Sequence, residues 1–428
     1  MFYQPSNKNR APVTSSTAAT CRISLAIAIA LPFLSAHASA GQTRIATSRN
    51  VAPATTQHFS IISNFDQAAP NSPYTPYGGV YVDKTGNIFG TTYAGGANAD
   101  GTVFKLTPSG KTYVRSIVHS YKTKFDGQNP VDHPIEDGSG NLFVTASADG
   151  PSSGSGTGIE LSTDGNGYHE TGLATIPGAI APFVQVGTTL FVTSPSGGAH
   201  SCGAIYEFTG TNGFTPIDVY DFCTTPNDGT NPSSELVADS SGALYGTVSG
   251  GGTNGSGAVF KFVPSKKGGT GTLTALYNFY PAPGDGRFPY GSVTLDGKGN
   301  IFGTTQYGGS ANYGTIFKLT PSNGHYAETI LHSFMGTPDA ENPTAGLALI
   351  GAKLYGTTNE GGTGNFGTIY TVGTAGSNYS IAHNFAGGVG GQYPQYCPLF
   401  VSGGALFGTT TAGGAGTDPQ GTVFEYVP

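Results

Sequence analysis

Short runs of alternating apolar and polar residues recur along this chain, and Gly, Pro, Asn or Asp separates one run from the next. Alternation with a period of two predicts β-strands with one buried face, and the separating residues predict tight turns. The runs come in groups of four, such as VYVD, NIFGTT, GTVFKL and VRSIVHSY between Val80 and Tyr121. The pattern therefore predicts an all-β protein made of four-stranded units.

The second run of the group recurs seven times, at steps of 48 to 57 residues with a mean of 53. The copies are IFGTTYAGG from Ile88, LFVTASADG from Leu142, LFVTSPSGG from Leu190, LYGTVSGGG from Leu244, IFGTTQYGG from Ile301, LYGTTNEGG from Leu354 and LFGTTTAGG from Leu406. Four strands per unit of about 50 residues predict a seven-bladed β-propeller of four-stranded antiparallel blades. The repeat cores lie near 88–110, 142–165, 190–213, 244–265, 301–324, 354–376 and 406–427.

The strand count predicts how the ring closes. The seventh unit ends at Pro428, directly after its third strand, so its fourth strand is missing there. The run HFSIISNF from His58 to Phe65 has the pattern of a fourth strand and precedes the first unit. Because a ring must protect the edges where its ends meet, we expect this run to complete blade seven. The predicted propeller spans residues 57–428.

The N-terminal segment has the pattern of a secretory signal peptide. Lys8, Arg10 and Arg22 precede or begin the apolar stretch ISLAIAIALPFLSA, and the small residues ASA end at Ala40. A membrane anchor is the alternative, but a span needs about 20 apolar residues and this stretch has 14. We predict a signal peptide over 1–40 cleaved after Ala40, a linker over 41–56, and a secreted or periplasmic protein without a membrane span.

Composition and charge limit the classes of partner that the protein is expected to bind. The 68 glycines and the low share of charged residues, 10 %, suit a turn-rich all-β protein. Removal of residues 1–40 takes away three basic residues and no acidic one, which changes the formal net charge from -7 to -10. An acidic protein is a poor partner for nucleic acid or anionic lipid. We predict a monomer that binds an extracellular glycan or protein.

Three cysteines remain after cleavage at Ala40. Cys202 precedes the third strand of unit three and Cys223 follows the fourth, so the two face each other across one hairpin. In a secreted protein this pair predicts a structural disulfide. Cys397, at the first strand of unit seven, is left over and is interpreted as a small buried thiol.

The motifs LYGTT, the GG doublet, GTVFKLTP and a strand ending in HSF resemble the GloVer tandem repeat of bacterial surface and secreted proteins. The resemblance covers nearly all of residues 57–428, with the best copies in units one, five and six. It implies an extracellular repeat protein and supplies no catalytic residues. The chain has no obvious C-terminal anchor, which favours a released or periplasmic form over attachment to the cell surface.

One face of the ring is predicted to carry the binding site. The GG loops and the connections between blades emerge there and differ from unit to unit, and loops on a rigid scaffold commonly carry function. Asn98 and Asp100 lie in the first of these loops. The candidate binding residues for a glycan are Tyr93, Asp126, Asp285, Arg287, Tyr290, Tyr307, Tyr313, Glu360 and Phe366. The alternative is that these aromatics pack between blades and that the Asp-Gly pairs only form turns.

The signals for metal binding and catalysis are weak. Asp-Gly turns offer hard oxygen ligands for calcium, but the chain has no EF-hand loop, and we predict no cofactor. His119, His332 and His383 occupy equivalent fourth-strand positions and are interpreted as packing residues. His133 beside Asp132 is the one pair suited to acid–base work.

Two function classes stay open, and we predict no catalytic residue. A non-catalytic binding scaffold accounts for the whole sequence, and a polysaccharide lyase or hydrolase is the alternative by analogy of fold. A funnel with two or more acids on the variable face would favour the enzyme, and a flat neutral funnel would exclude it.

Overall fold

The computed structural model describes residues 57–148, 156–165, 167–178, 181–209, 214–266, 268–394, 396 and 398–428. These residues form seven four-stranded antiparallel sheets, which confirms the predicted seven-bladed propeller. The predicted signal peptide, the linker and Cys397 lie outside the described residues. Within the described part, no helix has the length and apolar character needed to cross a membrane.

The first strand, β1 (His58–Asp66), belongs to the last blade. Blade one contains β2 (Val80–Val82), β3 (Ile88–Thr92), β4 (Thr102–Ser109) and β5 (Thr112–Ser120). Blade two contains β6 (Ile135–Glu136), β7 (Leu142–Ala146), β8 (Gly156–Thr163) and β9 (Tyr168–Ile176). Blade three contains β10 (Val184–Val186), β11 (Thr189–Ser194), β12 (Ala204–Phe208) and β13 (Ile217–Asp221).

Blade four contains β14 (Val237–Ala238), β15 (Leu244–Val248), β16 (Ala258–Val263) and β17 (Thr272–Asn278). The connection to blade five holds β18 (Gly286–Arg287). Blade five contains β19 (Thr294–Leu295), β20 (Ile301–Thr305), β22 (Thr315–Ser322) and β23 (His325–Ser333), with β21 (Tyr307–Gly308) in its central loop.

The connection to blade six holds β24 (Ala340–Glu341). Blade six contains β25 (Ala348–Ile350), β26 (Lys353–Thr358), β28 (Thr368–Gly373) and β29 (Ser380–Asn384), with β27 (Glu360–Gly361) in its central loop. A 3-10 turn (Gly388–Gly390) leads to blade seven, which contains β30 (Phe400–Ser402), β31 (Ala405–Thr410) and β32 (Pro419–Val427). In blades one to six the first strand in sequence is the inner one, and in blade seven the inner strand is β30.

The hairpins between the inner and second strands use aspartate as a turn acceptor. Asp83 Oδ1 accepts the backbone N–H groups of Thr85 at 2.8 Å and Asn87 at 2.9 Å. Asp137, Asp239 and Asp296 make the same pair of bonds in blades two, four and five. A side chain that satisfies backbone donors in this way fixes a tight turn, as the sequence predicts.

The glycine of the FGT motif makes room for an aromatic ring on the next strand. A Cβ atom at Gly303 would lie 2.5 Å from Cζ of Phe317, and one at Gly90 would lie 2.5 Å from Cζ of Phe104. Both phenylalanines are fully buried. These glycines therefore serve packing inside a blade rather than contact with a ligand.

The hydrophobic core is divided among the interfaces between neighbouring blades. Seven clusters of buried residues are present, and each takes side chains from two adjacent sheets. Phe191 of blade three, for example, packs with Leu236 and Phe260 of blade four. The aromatic residues that end the fourth strands, such as Phe279 and Phe334, are fully buried. Burial therefore holds each blade against both neighbours.

The N-terminal strand closes the ring, as predicted. β1 pairs with β32 in antiparallel register, from His58 opposite Val427 to Asp66 opposite Pro419. Asp66 also accepts backbone N–H groups from the loop before β32, at 2.9 Å from Thr417 and 3.0 Å from Asp418. Backbone pairing with β1 therefore covers the edge that β32 would otherwise expose.

The predicted disulfide between Cys202 and Cys223 is present, with a distance of 6.0 Å between the Cα atoms. It joins the loop before β12 to the end of β13 in blade three. Its place on the outer hairpin of that blade agrees with a structural role.

Candidate functional site

A cavity of about 860 Å³ opens on the face that carries the GG loops. Its walls come mainly from the residues that directly precede the inner strands, and loops such as the one with Tyr93 complete its edge. Five three-residue stretches and one pair, which together we call the axial segments, supply most of the lining: residues 77–79, 131–133, 233–235, 290–292, 344–346, and 396 with 398. Blade three adds Pro182. The same backbone position of each blade thus faces the cavity.

A repeated hydrogen bond fixes the middle of five axial segments and the equivalent position of blade three. The first threonine after the motif glycine donates its hydroxyl proton to a backbone carbonyl of the next blade, as in Thr91 to Asp132, at 2.6 Å. Five further bonds repeat it: Thr145 to Ala181, Thr193 to Ser234, Thr247 to Gly291, Thr304 to Ala345 and Thr409 to Gly78. The repeated sequence therefore holds the backbone of the cavity and leaves its side chains to vary.

Hydrogen bonds also tie the rim together. Among the described residues, six of the connections between blades pair with the GG loop beside them, as in Gly286 with Gly308 and Ala340 with Gly361. Single bridges such as Tyr74 with Ala94 and Gln128 with Ala148 do the same in other blades. The GG loops and connections that the sequence predicts to carry the binding site therefore form a rim held by backbone hydrogen bonds.

One side of the cavity is aromatic. We call it the tyrosine wall, and it consists of Tyr77, Tyr93, Tyr290 and Tyr396. The ring of Tyr77 lies 5.8 Å from that of Tyr93 and stacks on that of Tyr396 at 5.6 Å. Burial, with the neighbouring Tyr396, Tyr93 and Asp132, raises the pKa of Tyr77 to about 12. The phenol is therefore neutral at physiological pH and can donate a hydrogen bond.

The other side carries hydrogen-bond acceptors. We call it the acceptor wall, and it consists of Asp132 and His133 from blade two and Glu235 from blade four. Burial raises the pKa of Asp132 well above its ordinary value, nearby Glu235 raises it further, and the Thr145 hydroxyl at 3.3 Å acts against the rise. A buried carboxyl beside a second acid favours its protonated form.

His133 is almost completely buried, with 5 % of its surface exposed. Its Nδ1 lies 3.2 Å from the carbonyl oxygen of Pro134, which can only accept, so Nδ1 carries the proton. Nε2 lies 3.6 Å from Oε1 of Glu235 and has no hydrogen-bond partner among the described residues. The carboxylate nearest to Nε2 of His133 is thus that of Glu235 from another blade, whereas the sequence offered the adjacent Asp132.

Two of the predicted binding residues, Tyr93 and Tyr290, line the cavity. Tyr307 is partly exposed on the same side and packs edge to face against Phe288 at 6.2 Å. Burial raises the pKa of the Tyr396 phenol, and the nearby Tyr290 and Tyr307 raise it further. Three of the nine candidates therefore lie in or beside the tyrosine wall.

The other six lie outside the cavity lining. Asp126 and Asp285 accept backbone N–H groups, from Lys122 at 2.6 Å and from Tyr280 at 2.7 Å. The remaining contacts are Arg287 with the Asn312 side chain, Glu360 with Asn342 at 3.2 Å, Tyr313 over Gly336, and Phe366 with Tyr393 at 6.2 Å. Asn98 and Asp100 are also tied to backbone groups, of Tyr121 and Thr123. A binding role for these residues stays a prediction.

Three of the Asp-Gly pairs, together with Asp339, take part in a second repeated contact, which we call the outer pairs. In four blades a fourth-strand His or Tyr contacts the aspartate of the following connection: His119 with Asp126 at 2.6 Å, Tyr220 with Asp228 at 3.0 Å, Tyr277 with Asp285 at 3.3 Å, and His332 with Asp339 at 3.1 Å. His383 instead stacks on Phe59, and burial lowers its pKa to about 4. The packing interpretation of the fourth-strand histidines agrees with these contacts.

One group of side chains could hold a metal ion. Ligand atoms of His119, Asp126 and Glu170 lie within 4.8 Å of one another. Both carboxylate oxygens of Asp126 already accept hydrogen bonds, from His119 and from the Lys122 backbone, and blade five repeats the His–Asp pair. The His119–Asp126 contact of this group is therefore one of the outer pairs. Calcium binding by the Asp-Gly turns stays a prediction.

Sequence reasoning missed Tyr77, Tyr396 and Glu235. All three belong to axial segments, and Glu235 occupies in blade four the position that His133 occupies in blade two. The available signal was the change of residue type just before each inner strand, where Tyr, Asp, His and Glu replace Gly, Ala and Ser.

Comparisons with known proteins agree with this architecture. A family model described as the Gloeobacter/Verrucomicrobia repeat matches residues 177–365. No curated protein sequence shows significant similarity to the chain.

Solved structures are similar at the level of the fold. An ancestral GH74 enzyme is 11 % identical with a TM-score of 0.54, and the match covers 86 % of this chain and 51 % of that one. A Dyadobacter fermentans protein of unknown function is 11 % identical with a TM-score of 0.45, covering 86 % and 98 %. Trypanosoma rangeli sialidase is 10 % identical with a TM-score of 0.44, covering 88 % and 60 %. This chain thus spans about half the length of the GH74 enzyme, and residues 177–365 match the model of the Gloeobacter/Verrucomicrobia repeat.

Proposed function

We propose that this protein binds a carbohydrate in the axial cavity, with sugar rings against the tyrosine wall and sugar hydroxyls bonded to the polar axial segments. The observation that carries the proposal is a cavity of about 860 Å³ that has aromatic rings on one side and a buried histidine with two partly buried carboxyl groups on the other. Ligand pockets are commonly concave and largely preformed, with a few polar groups that fix orientation.

The shape and chemistry of the cavity favour a sugar over a protein segment. A propeller axis offers a closed depression rather than an extended groove, which suits a chain end or a short oligosaccharide. Tyrosine combines a flat apolar face with a hydroxyl, so it can pack on a sugar ring and also bond to it. Ser233, Asn129 and Asn231 add further polar groups at the wall.

A glycan array followed by isothermal titration calorimetry of the purified protein tests the proposal. We expect binding of at least one oligosaccharide class and a loss of about 10-fold in affinity for Tyr396→Ala, because one aromatic contact contributes about 0.5–1.5 kcal/mol. The ring of Tyr396 is 44 % exposed, so its removal leaves the core intact.

Tyr280→Ala is the matched control. Tyr280 is 52 % exposed and follows the last strand of blade four, on the same face, but it does not line the cavity. Equal loss of affinity in both variants, or no glycan bound by the wild type, would refute carbohydrate binding at the axis.

A second candidate function is a polysaccharide-acting enzyme, because two carboxyl side chains and a histidine lie in the same cavity. Glycosidases commonly use a protonated and an ionised carboxyl on either side of the scissile bond. The raised pKa of Asp132 suits the acid, and Glu235 would be the base or nucleophile.

Reducing-end release and the absorbance of unsaturated sugars, measured over glycans that bind, test for hydrolase and lyase activity. The enzyme hypothesis expects turnover that Asp132→Asn and Glu235→Gln each abolish while calorimetric binding persists. Binding without turnover would refute the enzyme hypothesis and support the non-catalytic binding scaffold.

We also propose that the protein is secreted as a monomer. The apolar N-terminal stretch and the Cys202–Cys223 disulfide support an oxidising compartment. N-terminal sequencing of the exported protein should begin at Gly41, and light scattering should give the mass of one chain.

A further inference from the structure

Three of the outer pairs have a third side chain beside them, which comes from the following blade. Glu170 and Glu328 occupy the same position of β9 and β23, opposite the leucine that ends the motif of the third strand. Tyr379 directly precedes β29 of blade six. The three groups are His119, Asp126 and Glu170; Tyr277, Asp285 and Glu328; and His332, Asp339 and Tyr379. One repeated place in the molecule therefore carries three different sets of side chains.

In two of these groups a hydroxyl donates to a carboxyl group. Tyr379 stacks on His332 at 3.4 Å and donates its hydroxyl proton to Asp339. The Tyr277 hydroxyl lies 3.0 Å from Glu328, and burial raises the pKa of Glu328 to about 8. Both groups therefore satisfy their acceptors with protons of their own.

The group at blades one and two has a second carboxylate and no hydroxyl donor. His119 Nε2 lies 2.6 Å from Asp126 Oδ2, and ligand atoms of His119, Asp126 and Glu170 lie within 4.8 Å of one another. Partial burial raises the pKa of Glu170, the nearby Asp126 raises it further, and His119 acts against the rise. Within the described residues Glu170 accepts no hydrogen bond. Two carboxylates thus meet where the equivalent groups place a donor.

A buried hydroxyl beside this group is a second observation. Tyr121 follows β5, and its ring lies edge to face against that of His119 at 5.0 Å. The side chain is fully buried, and its hydroxyl has no hydrogen-bond partner among the described residues. Burial raises the pKa of this phenol well above its ordinary value, and Asp126 and Glu170 raise it further. The other three outer pairs have phenylalanine at this place: Phe222, Phe279 and Phe334.

The donor atoms of this group suit Zn²⁺. Zinc takes imidazole nitrogen and carboxylate oxygen at about 2.0–2.2 Å, and three protein ligands leave a fourth position for water. Two ligands of a tetrahedral zinc ion lie about 3.3 Å apart, so His119 and Asp126 would separate by about 0.7 Å as the ion replaces the proton between them. Calcium takes six to eight oxygen ligands, which one imidazole and two carboxylates do not supply.

The surroundings of the group also suit a bound ion. The Asp126 Oδ1 atom accepts the Lys122 backbone N–H at 2.6 Å, and an outer hydrogen bond of this kind orients a ligating carboxylate. The side chains of His119 and Asp126 are only 16 % and 8 % exposed, whereas Glu170 is accessible from solvent. An ion can therefore enter past Glu170 and be partly shielded by the other two residues.

We propose that His119, Asp126 and Glu170 form a zinc site that joins the outer strands of blades one and two. His119 and Glu170 belong to β5 and β9, and Asp126 belongs to the connection between them. The site lies outside the axial cavity, so the inference goes beyond the proposed carbohydrate binding and does not depend on it. Binding releases to solvent the proton held between His119 and Asp126 and involves no other transfer.

Calorimetry with zinc chloride tests the inference on purified protein without a histidine tag, dialysed first against EDTA and then against metal-free buffer at pH 7.5. We expect one zinc ion per chain and an affinity for calcium chloride at least about 10-fold lower. The melting temperature should rise with zinc concentration, because an ion that binds only the folded state stabilises it.

Glu170→Gln separates this site from other zinc ligands on the surface. The variant should lose at least about 10-fold in zinc affinity, and an unchanged melting temperature in EDTA shows that it is folded. Glu328→Gln is the matched control, since it makes the same substitution at the same position of blade five, and it should keep the affinity of the wild type. His119→Ala should likewise lose zinc affinity, whereas His332→Ala should not.

Three results would overturn the zinc site. The first is the absence of saturable binding of one zinc ion per chain. The second is equal zinc affinity for the wild type and Glu170→Gln, which is the result expected from exposed histidines elsewhere on the surface. The third is an equal loss of affinity in Glu170→Gln and Glu328→Gln.

Discussion

The outer pairs and the axial segments are both repeated positions of the blade, yet their side chains behave in opposite ways. At the outer pairs four blades place a His or Tyr against an Asp, so the contact is nearly the same around the ring. At the axial segments the backbone is equally fixed, but the side chains change from Gly and Ala to Tyr, Asp, His and Glu. Uniform chemistry at a repeated position indicates structure, and changed chemistry indicates where function can lie.

Deletion of residues 41–66, which removes β1, should have the largest effect of all, because it disturbs both the blade framework and the cavity. The last blade would lose its outer strand and the buried Phe65, and β32 would become an open edge. We expect loss of cooperative unfolding, followed by circular dichroism on heating, and loss of glycan binding. The form that begins at Gly41 is the reference. A truncated chain with an unchanged melting temperature would contradict closure by β1.

The substitution Gly303→Ala tests next whether the repeated glycine of the FGT motif is needed for packing inside a blade. Its Cβ would lie 2.5 Å from Cζ of the buried Phe317, and overpacking of this kind costs about 1–3 kcal/mol in the free energy of unfolding. Gly138→Ala is the control, since a Cβ there meets nothing within 4 Å. Urea titrations of both variants give the comparison, and equal stabilities would show that the motif glycine is not a packing requirement.

Thr91→Val and Thr304→Val compare what the repeated hydrogen bond to an axial segment contributes to stability with what it contributes to the cavity. Each removes the hydroxyl donor to a carbonyl of an axial segment, of Asp132 at 2.6 Å and of Ala345 at 2.9 Å. Both should lower the free energy of unfolding by about 1–2 kcal/mol, because the carbonyl loses its partner.

Only Thr91→Val should also weaken glycan binding, because Asp132 adjoins His133 in the acceptor wall whereas Ala345 carries no polar side chain. Calorimetry on both variants measures this difference. Equal affinities would mean that small shifts of the acceptor wall do not matter for the ligand.

The smallest expected effect concerns one outer pair. The Tyr277 hydroxyl lies 3.3 Å from Asp285 and 3.0 Å from Glu328, and burial together with Asp285 raises the pKa of Glu328 to about 8. The folded state therefore holds a proton that the unfolded chain releases near pH 4.5, so this carboxyl makes stability fall as the pH rises from about 4.5 to about 8.

Glu328→Gln keeps the neutral form at every pH. Its melting temperature should approach that of the wild type at pH 5 and exceed it by a few degrees at pH 8.5, measured by calorimetric scans, with glycan affinity unchanged. A difference that does not vary with pH would contradict the shifted carboxyl.

The fold followed from the sequence because its information is local and repeated. Alternating apolar residues, the motif glycines and the Asp turns each define a strand or hairpin, and the run from His58 to Phe65 supplied the missing strand. The cysteine pair was also predictable, since strand order alone brings Cys202 and Cys223 together.

The site was only partly predictable. Tyr93 and Tyr290 were identified because they lie in variable loops, but Glu235 and His133 meet across blades two and four, and their 3.6 Å distance depends on the curvature of the whole ring. The sequence gives no direct measure of that radius. Loop variability therefore directed attention to the rim, including Arg287 and Glu360, rather than to the short segments before the inner strands.

Closure by β1 has a consequence for biogenesis. β1 is synthesised before the strands of blades one to six and pairs with β32, which is synthesised after them, across a sequence separation of 351 residues for the bond from Ala415 to Asn64. Blades one to six can form from neighbouring stretches as the chain emerges, but β1 has to wait with its backbone donors unpaired until β32 is available. A ribosome or export channel that still holds β32 therefore also holds the ring open.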